Sequence, residues 1–187
     1  MKQCLFANRV NEPESGDAMQ RHVLSALVQN HAGVLSRVSG LFSRRGYNIE
    51  SLTVGETTDT GLSRMTIVVR GDESTLEQIQ KQLEKLVEVQ AVQRLQNDAG
   101  LCRELALIKV DADKSKRSEV IRTAEIFDGR VLDASAECLT IEATGDHYKI
   151  DSIIQLLLPY GIRELARTGI AALERGSSSI SLLVSII

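Results

Sequence analysis

The sequence predicts an α+β protein built from two tandem ferredoxin-like domains, each in the order βαββαβ. Two observations predict it. Hydrophobic periodicity alternates between about 2 and about 3.6 residues in that order, and the order occurs twice. The polar, glycine-ended stretch Asn97-Asp98-Ala99-Gly100 separates the two runs as a linker. A chain of 187 residues with 43% hydrophobic content can fill two small cores.

The first domain is assigned to residues 20–97. Residues 22–29 form a strand carrying Val23, Leu24, Ala26, Leu27 and Val28. After the loop Asn30-His31-Ala32-Gly33, the apolar residues Val34, Leu35, Val38, Leu41 and Phe42 recur at helical spacing. Gly46 ends that helix, as a left-handed C-terminal glycine does. Residues 48–57 alternate as a strand, Asp59-Thr60-Gly61 is a turn, and 62–70 is the next strand. Residues 72–86 form a helix with Leu76, Ile79, Leu83 and Leu86 on one face and Asp72 or Ser74 as cap. Residues 89–95 are the last strand.

The second domain is assigned to residues 101–176. It repeats the order with a strand at 104–110, a helix at 118–127, and strands at 130–134 and 138–143. A helix at 147–157, ended by Pro159, and a final strand within 162–173 complete it. Residues 1–19 read as a polar, disordered extension, or as a start placed too early, with Met19 the natural start. Residues 177–187 read as an apolar tail: an added strand, a dimer contact or an extension. A sheet covered on one face leaves its other face and two edges unmanaged, so a homodimer is expected.

Composition excludes several classes. The formal charge is −3 and aromatic residues are 3%, which argues against nucleic-acid binding. The strand stretches Ser25-Ala26-Leu27-Val28 and Thr66-Ile67-Val68-Val69 carry none of the aromatics that RNA-binding domains of the same topology use. No apolar run reaches the roughly 18 residues of a membrane span, and no signal peptide is visible, so the cytoplasm is expected. Cys4, Cys102 and Cys138 are isolated and read as reduced thiols. His22, His31 and His147 have no partner at metal-ligand spacing, so no metal site is expected. No nucleophile, acid–base set or phosphate loop appears, so no catalytic residue is assigned. Lys114-Ser115-Lys116-Arg117 and Arg44-Arg45 read as solvated ends of elements.

The junction from Asn30 to Leu35 is the candidate binding loop. The free N–H groups of Gly33, Val34 and Leu35 at a helix start suit a carboxylate. Gly33 lets a ligand approach the backbone, and the Asn30 side-chain carbonyl could accept from an ammonium. A plain turn at Asn30 with a permissive glycine explains the same spacing.

Asn30-His31-Ala32-Gly33-Val34-Leu35 resembles the N-x-x-G-V-L signature of ACT domains, which sense amino acids. Ser36-Arg37-Val38, the stretch from Leu41 to Val54 and Ser63-Arg64-Met65-Thr66 are similar to the acetolactate (acetohydroxyacid) synthase small subunits. So are the stretches from Thr123 to Arg130 and from Ala166 to Gly176. The resemblance spans residues 20–176. It implies that the N-terminal domain is an ACT domain, that the chain is a dimer, and that valine binds where two such domains meet. Asn30, Gly33, Val34 and Leu35 match the effector loop, and Asn48 and Ile49 match positions reaching it from the neighbouring chain. It also implies a catalytic large subunit as partner. That subunit carries the thiamine diphosphate, Mg2+ and FAD that condense pyruvate with a second 2-oxo acid on the route to branched-chain amino acids. This chain is expected to hold no cofactor. A small enzyme on the same fold and an ACT-type sensor for another effector are the competing readings.

Overall fold

The computed structural model describes residues 20–95 and 100–181. The 1–19 extension with Cys4, residues 96–99 of the linker region and the tail beyond Ser181 lie outside the described residues. The first domain consists of β1 (Gln20–Gln29), α1 (Val34–Arg45), β2 (Ile49–Glu56), β3 (Leu62–Gly71), α2 (Glu73–Leu83) and β4 (Val89–Leu95). The second consists of β5 (Gly100–Asp111), α3 (Arg117–Ile126), β6 (Arg130–Ala134), β7 (Cys138–Gly145), α4 (His147–Leu157), β8 (Ile162–Arg167) and β9 (Ala171–Glu174). Both sheets are antiparallel, ordered β2-β3-β1-β4 and β6-β7-β5-β8, with β9 paired separately to β5. The architecture is α+β with two ferredoxin-like units, as the repeat predicts.

Each unit buries a helix-facing core. In the first, Leu24, Val28, Met65 and Ile67 of the sheet meet Val38, Phe42, Leu76 and Ile79 of the helices. In the second, Ile108, Leu139 and Ile141 meet Val120, Ile150 and Ile153. Helix ends follow local chemistry. Gly46 takes a left-handed φ of 72° and closes α1. The Asp72 carboxylate accepts from Thr75 N–H at 2.7 Å, and that of Asp146 from Lys149 N–H at 2.8 Å. Asp146→Ala leaves this donor of α4 uncapped and is expected to cost about 1 kcal/mol in chemical denaturation.

The structure adds to the sequence reading at two places. The final strand expected within 162–173 is β8, and a further strand, β9, follows it after a break at Thr168-Gly169-Ile170. Likewise β5 begins at Gly100, read as linker, rather than at 104. The two differences have one cause. Residues Gly100–Arg103 pair with Ala171–Glu174, forming a two-stranded arm outside the second sheet.

That arm and the residues after it lie across the open face of the first sheet. Ile170 and Ala172 bury against Val23, Val68 and Leu95. Ile180, 1% exposed, buries against Leu27 and Ala91, so the start of the apolar tail is seated on the same face. Thr53 Oγ1 donates to the Thr168 carbonyl at 3.1 Å, and Ser51 Oγ accepts from Ile170 N–H at 3.4 Å. Gly169 makes the bend with φ 79°, and an added Cβ there would lie 2.4 Å from Ser51 Oγ and 2.8 Å from Thr53 Oγ1. Gly169→Ala is therefore expected to destabilise the protein by about 2–3 kcal/mol, from backbone strain plus displacement of two hydroxyls. Gly176→Ala, at φ 78° with open space around its Cβ, carries the strain alone. Equal losses in the two variants, measured by urea unfolding, would remove the clash from the account.

Candidate functional site

The predicted loop joins β1 to α1 and is held from two sides. On one side, Asn30 N–H donates to the Gly61 carbonyl at 2.8 Å, and Asn30 Nδ2 donates to the Thr60 carbonyl at 3.0 Å. The second bond fixes the amide, so that Nδ2 is engaged and Oδ1 remains available as an acceptor. On the other side, Gln29 N–H donates to the Glu88 carbonyl at 2.8 Å. The Glu88 side chain bonds Arg37 Nη1 at 2.5 Å, while its Oε2 is buried without a partner. Since Arg37 N–H donates to the Gly33 carbonyl at 3.0 Å, this ion pair ties the first turn of α1 to the start of β4.

Gly33 is the N-cap of α1, with φ 93° and ψ −17°. No side chain caps the helix, and its first turn contains no acidic residue. An added Cβ at Gly33 would meet nothing within 4 Å. Val34 N–H makes a long bond to the His31 carbonyl at 3.4 Å, and the positive end of α1 is otherwise open to a small anion. Val34 is buried in the first core, so only its backbone can serve a ligand, whereas Leu35 is half exposed.

The remaining predicted residues lie elsewhere. Asn48 is exposed just beyond the C-terminal end of α1, and Ile49 opens β2 and packs on the first core. The 12 residues of α1 separate the two groups by about 18 Å. One chain thus brings Asn30, Gly33, Val34 and Leu35 together and leaves Asn48 and Ile49 at the far end of the helix. The turn at Thr60 and Gly61, Arg37 and Glu88 were not singled out from the sequence as supports of the loop. Nothing in the run Leu86-Val87-Glu88-Val89 marks its acid as a strut.

The histidines are held by neighbours. Nε2 of His22 bonds the Gly71 carbonyl at 3.1 Å, and His31 bonds Ala32 O and Gln29 Oε1. His147 pairs with Asp151 at 3.0 Å. Burial raises the Cys102 thiol above its ordinary pKa. Among the described residues no group of three or more His, Cys, Asp or Glu side chains is placed to hold a metal, and no helix is long and apolar enough to cross a membrane.

Comparison with known proteins adds a family context. Residues 24–91 match the family described as the AHAS small subunit-like ACT domain, and residues 103–176 match the small subunit of acetolactate synthase. The chain is 52% identical over 159 residues to the acetolactate synthase small subunit of Mycobacterium leprae, covering 85% of this chain and 94% of that one. With the corresponding protein of Aquifex aeolicus it shares 48% over 161 residues, covering 86% and 84%. The crystal structure of the acetolactate synthase small subunit from Thermotoga maritima is similar at a TM-score of 0.79 and 45% identity, covering 86% of this chain and all of that one.

Proposed function

Since the chain belongs to the acetolactate synthase small-subunit family, we propose that it is a regulatory subunit that binds valine and controls a catalytic large subunit. The observation that carries the effector site is the uncapped, glycine-started N-terminus of α1 beside an oriented Asn30 amide. Valine's carboxylate accepts from the amides at Gly33 and Leu35, and from that of Val34 in exchange for its long bond to the His31 carbonyl, where the helix dipole favours an anion. Its ammonium donates to Asn30 Oδ1. A second copy supplies Asn48 and Ile49, which lie too far away within one chain.

In this reading the chemistry belongs to the large subunit, which carries the thiamine diphosphate, Mg2+ and FAD. This chain acts by stabilising one state of the complex over another, so inhibition requires that valine bind the two states unequally. The side-chain pocket discriminates by single methylenes, worth about 1–3 kcal/mol each, so leucine and isoleucine are weaker effectors rather than inert ones.

The test is turnover of the catalytic subunit alone, with this chain, and with this chain plus valine. The reading expects stimulation by the chain and a fall on adding valine. Calorimetry with a panel of amino acids reports the effector independently. Stimulation without any response to valine, coupled with binding of a different amino acid, assigns the loop to another effector.

A further inference from the structure

The β9 arm covers only part of the open face of the first sheet. Beside it lies a cleft of about 660 Å³. Its floor is formed by Arg64 and Thr66 of β3 with Thr53 and Gly55 of β2. Leu62 forms one apolar wall, beside Leu27 that Ile180 already covers, Ala171–Leu173 of β9 form the other, and Ser181 closes one side. Such a volume is in the range of small-molecule sites, and the walls come from both domains.

Arg64 is the unusual group here. Its guanidinium donates to Ser25 Oγ at 2.9 Å and has no carboxylate within ion-pair distance among the described residues. Ser25 is fully buried and Thr66 is 3% exposed, so the cation sits on a desolvated floor. Burial lowers its pKa, and no opposite charge offsets that effect. Directly across the β2–β3 ladder from Arg64 is Gly55, where an added Cβ would meet nothing within 4 Å. Cross-strand partners face the same side, so the space above Gly55 adjoins the guanidinium.

We infer that this cleft is a second binding site, taking a small monocarboxylate with a short apolar body. The carboxylate accepts from the Arg64 fork in the geometry that guanidinium and carboxylate share. The apolar body lies between Leu62 and Leu173. Glu56 and Asp59 at the rim disfavour multiply charged anions, so inorganic phosphate is not the ligand class. A bound acid touches β9 and the first sheet together, and so reinforces the contact between the two domains. The site is separate from the α1 loop and does not depend on the valine reading.

Calorimetry on the full chain with isovalerate, its neutral amide and inorganic phosphate tests this. The expected result is saturable binding of isovalerate, with the amide and Arg64→Met each weakening it about tenfold or more. Gly55→Leu keeps the arginine and closes the space above it, so it gives the same loss and keeps the test valid where Arg64→Met fails to fold. Arg64 is itself only half-buried, and Arg64→Met removes its bond to the buried Ser25 hydroxyl, so the thermal midpoint of the variant is read alongside its binding. Gly33→Asp separates the sites: isovalerate binding at Arg64 survives it. The proposal is overturned by absence of saturable binding, by binding retained in both cleft variants, by loss in Gly33→Asp alone, or by phosphate binding as well as isovalerate.

Discussion

Gly33→Asp is expected to abolish inhibition by valine while leaving stimulation of the catalytic subunit intact. Space is not the issue, because a Cβ at this position meets nothing within 4 Å. The backbone there is left-handed, which costs an L residue about 1–2 kcal/mol, although aspartate and asparagine tolerate it best. What decides the outcome is charge. An aspartate carboxylate beside the open end of α1 competes for the amides that the ligand's carboxylate uses, and repels that carboxylate as well. Losing two charge-assisted hydrogen bonds, each about 1.5–3 kcal/mol, weakens binding by a hundredfold or more. Gly33→Asn is the control, since it carries the same backbone strain and nearly the same shape without the charge. Its inhibition constant should fall between parent and aspartate variant. Valine inhibition unchanged by aspartate places the effector elsewhere. Equal losses in the two variants assign the effect to the bend of the loop instead.

The elements that were legible from sequence are those whose signal is local. The bounds of β4, β6 and α4 follow from periodicity, and the turn at Gly46 from the glycine after an apolar stripe. The arm was not legible, because Gly100–Arg103 finds its partners some 70 residues later, at Ala171–Glu174. Such pairing leaves no mark on either segment alone. Gly169 fell in the stretch expected to contain the final strand, with no mark of a bend, yet its φ of 79° makes it the turn that lays β9 on the other domain. The same division holds at the site. Asn30 and Gly33 announce a helix start, while Thr60, Gly61 and Glu88, which hold that start in place, come from distant turns. Asn48 and Ile49 were named through family resemblance, and the fold of one chain puts them at the other end of α1. Arg64 stood in the sequence only as part of a family motif. Its exposure to a cleft depends on the arm, and so disappears from view with it.

Arg167→Met is expected to destabilise the protein by about 3 kcal/mol and to lower its thermal midpoint by roughly 6–12 °C. Glu104, 4% exposed, receives Arg167 Nε at 2.6 Å and Nη2 at 2.8 Å, a two-point pair that uses both carboxylate oxygens. Arg167 Nη1 donates to Asp151 at 2.9 Å, and Asp151 in turn pairs with His147. Donating to Glu104 raises the Arg167 pKa above its ordinary value, so the guanidinium stays charged. Its position makes it consequential. Glu104 stands where β5 leaves its pairing with β9 and enters the second sheet, so the fork between arm and domain is pinned there. Removing the guanidinium leaves a buried carboxylate without its two-point partner. Replacing both partners, Glu104→Gln with Arg167→Met, removes the orphaned charge and should restore most of the stability, since a buried pair contributes less than the loss of one member suggests. A single variant within about 1 kcal/mol of the parent would show that water reaches Glu104, and the fork would then be held by the β9 contacts with the first sheet alone.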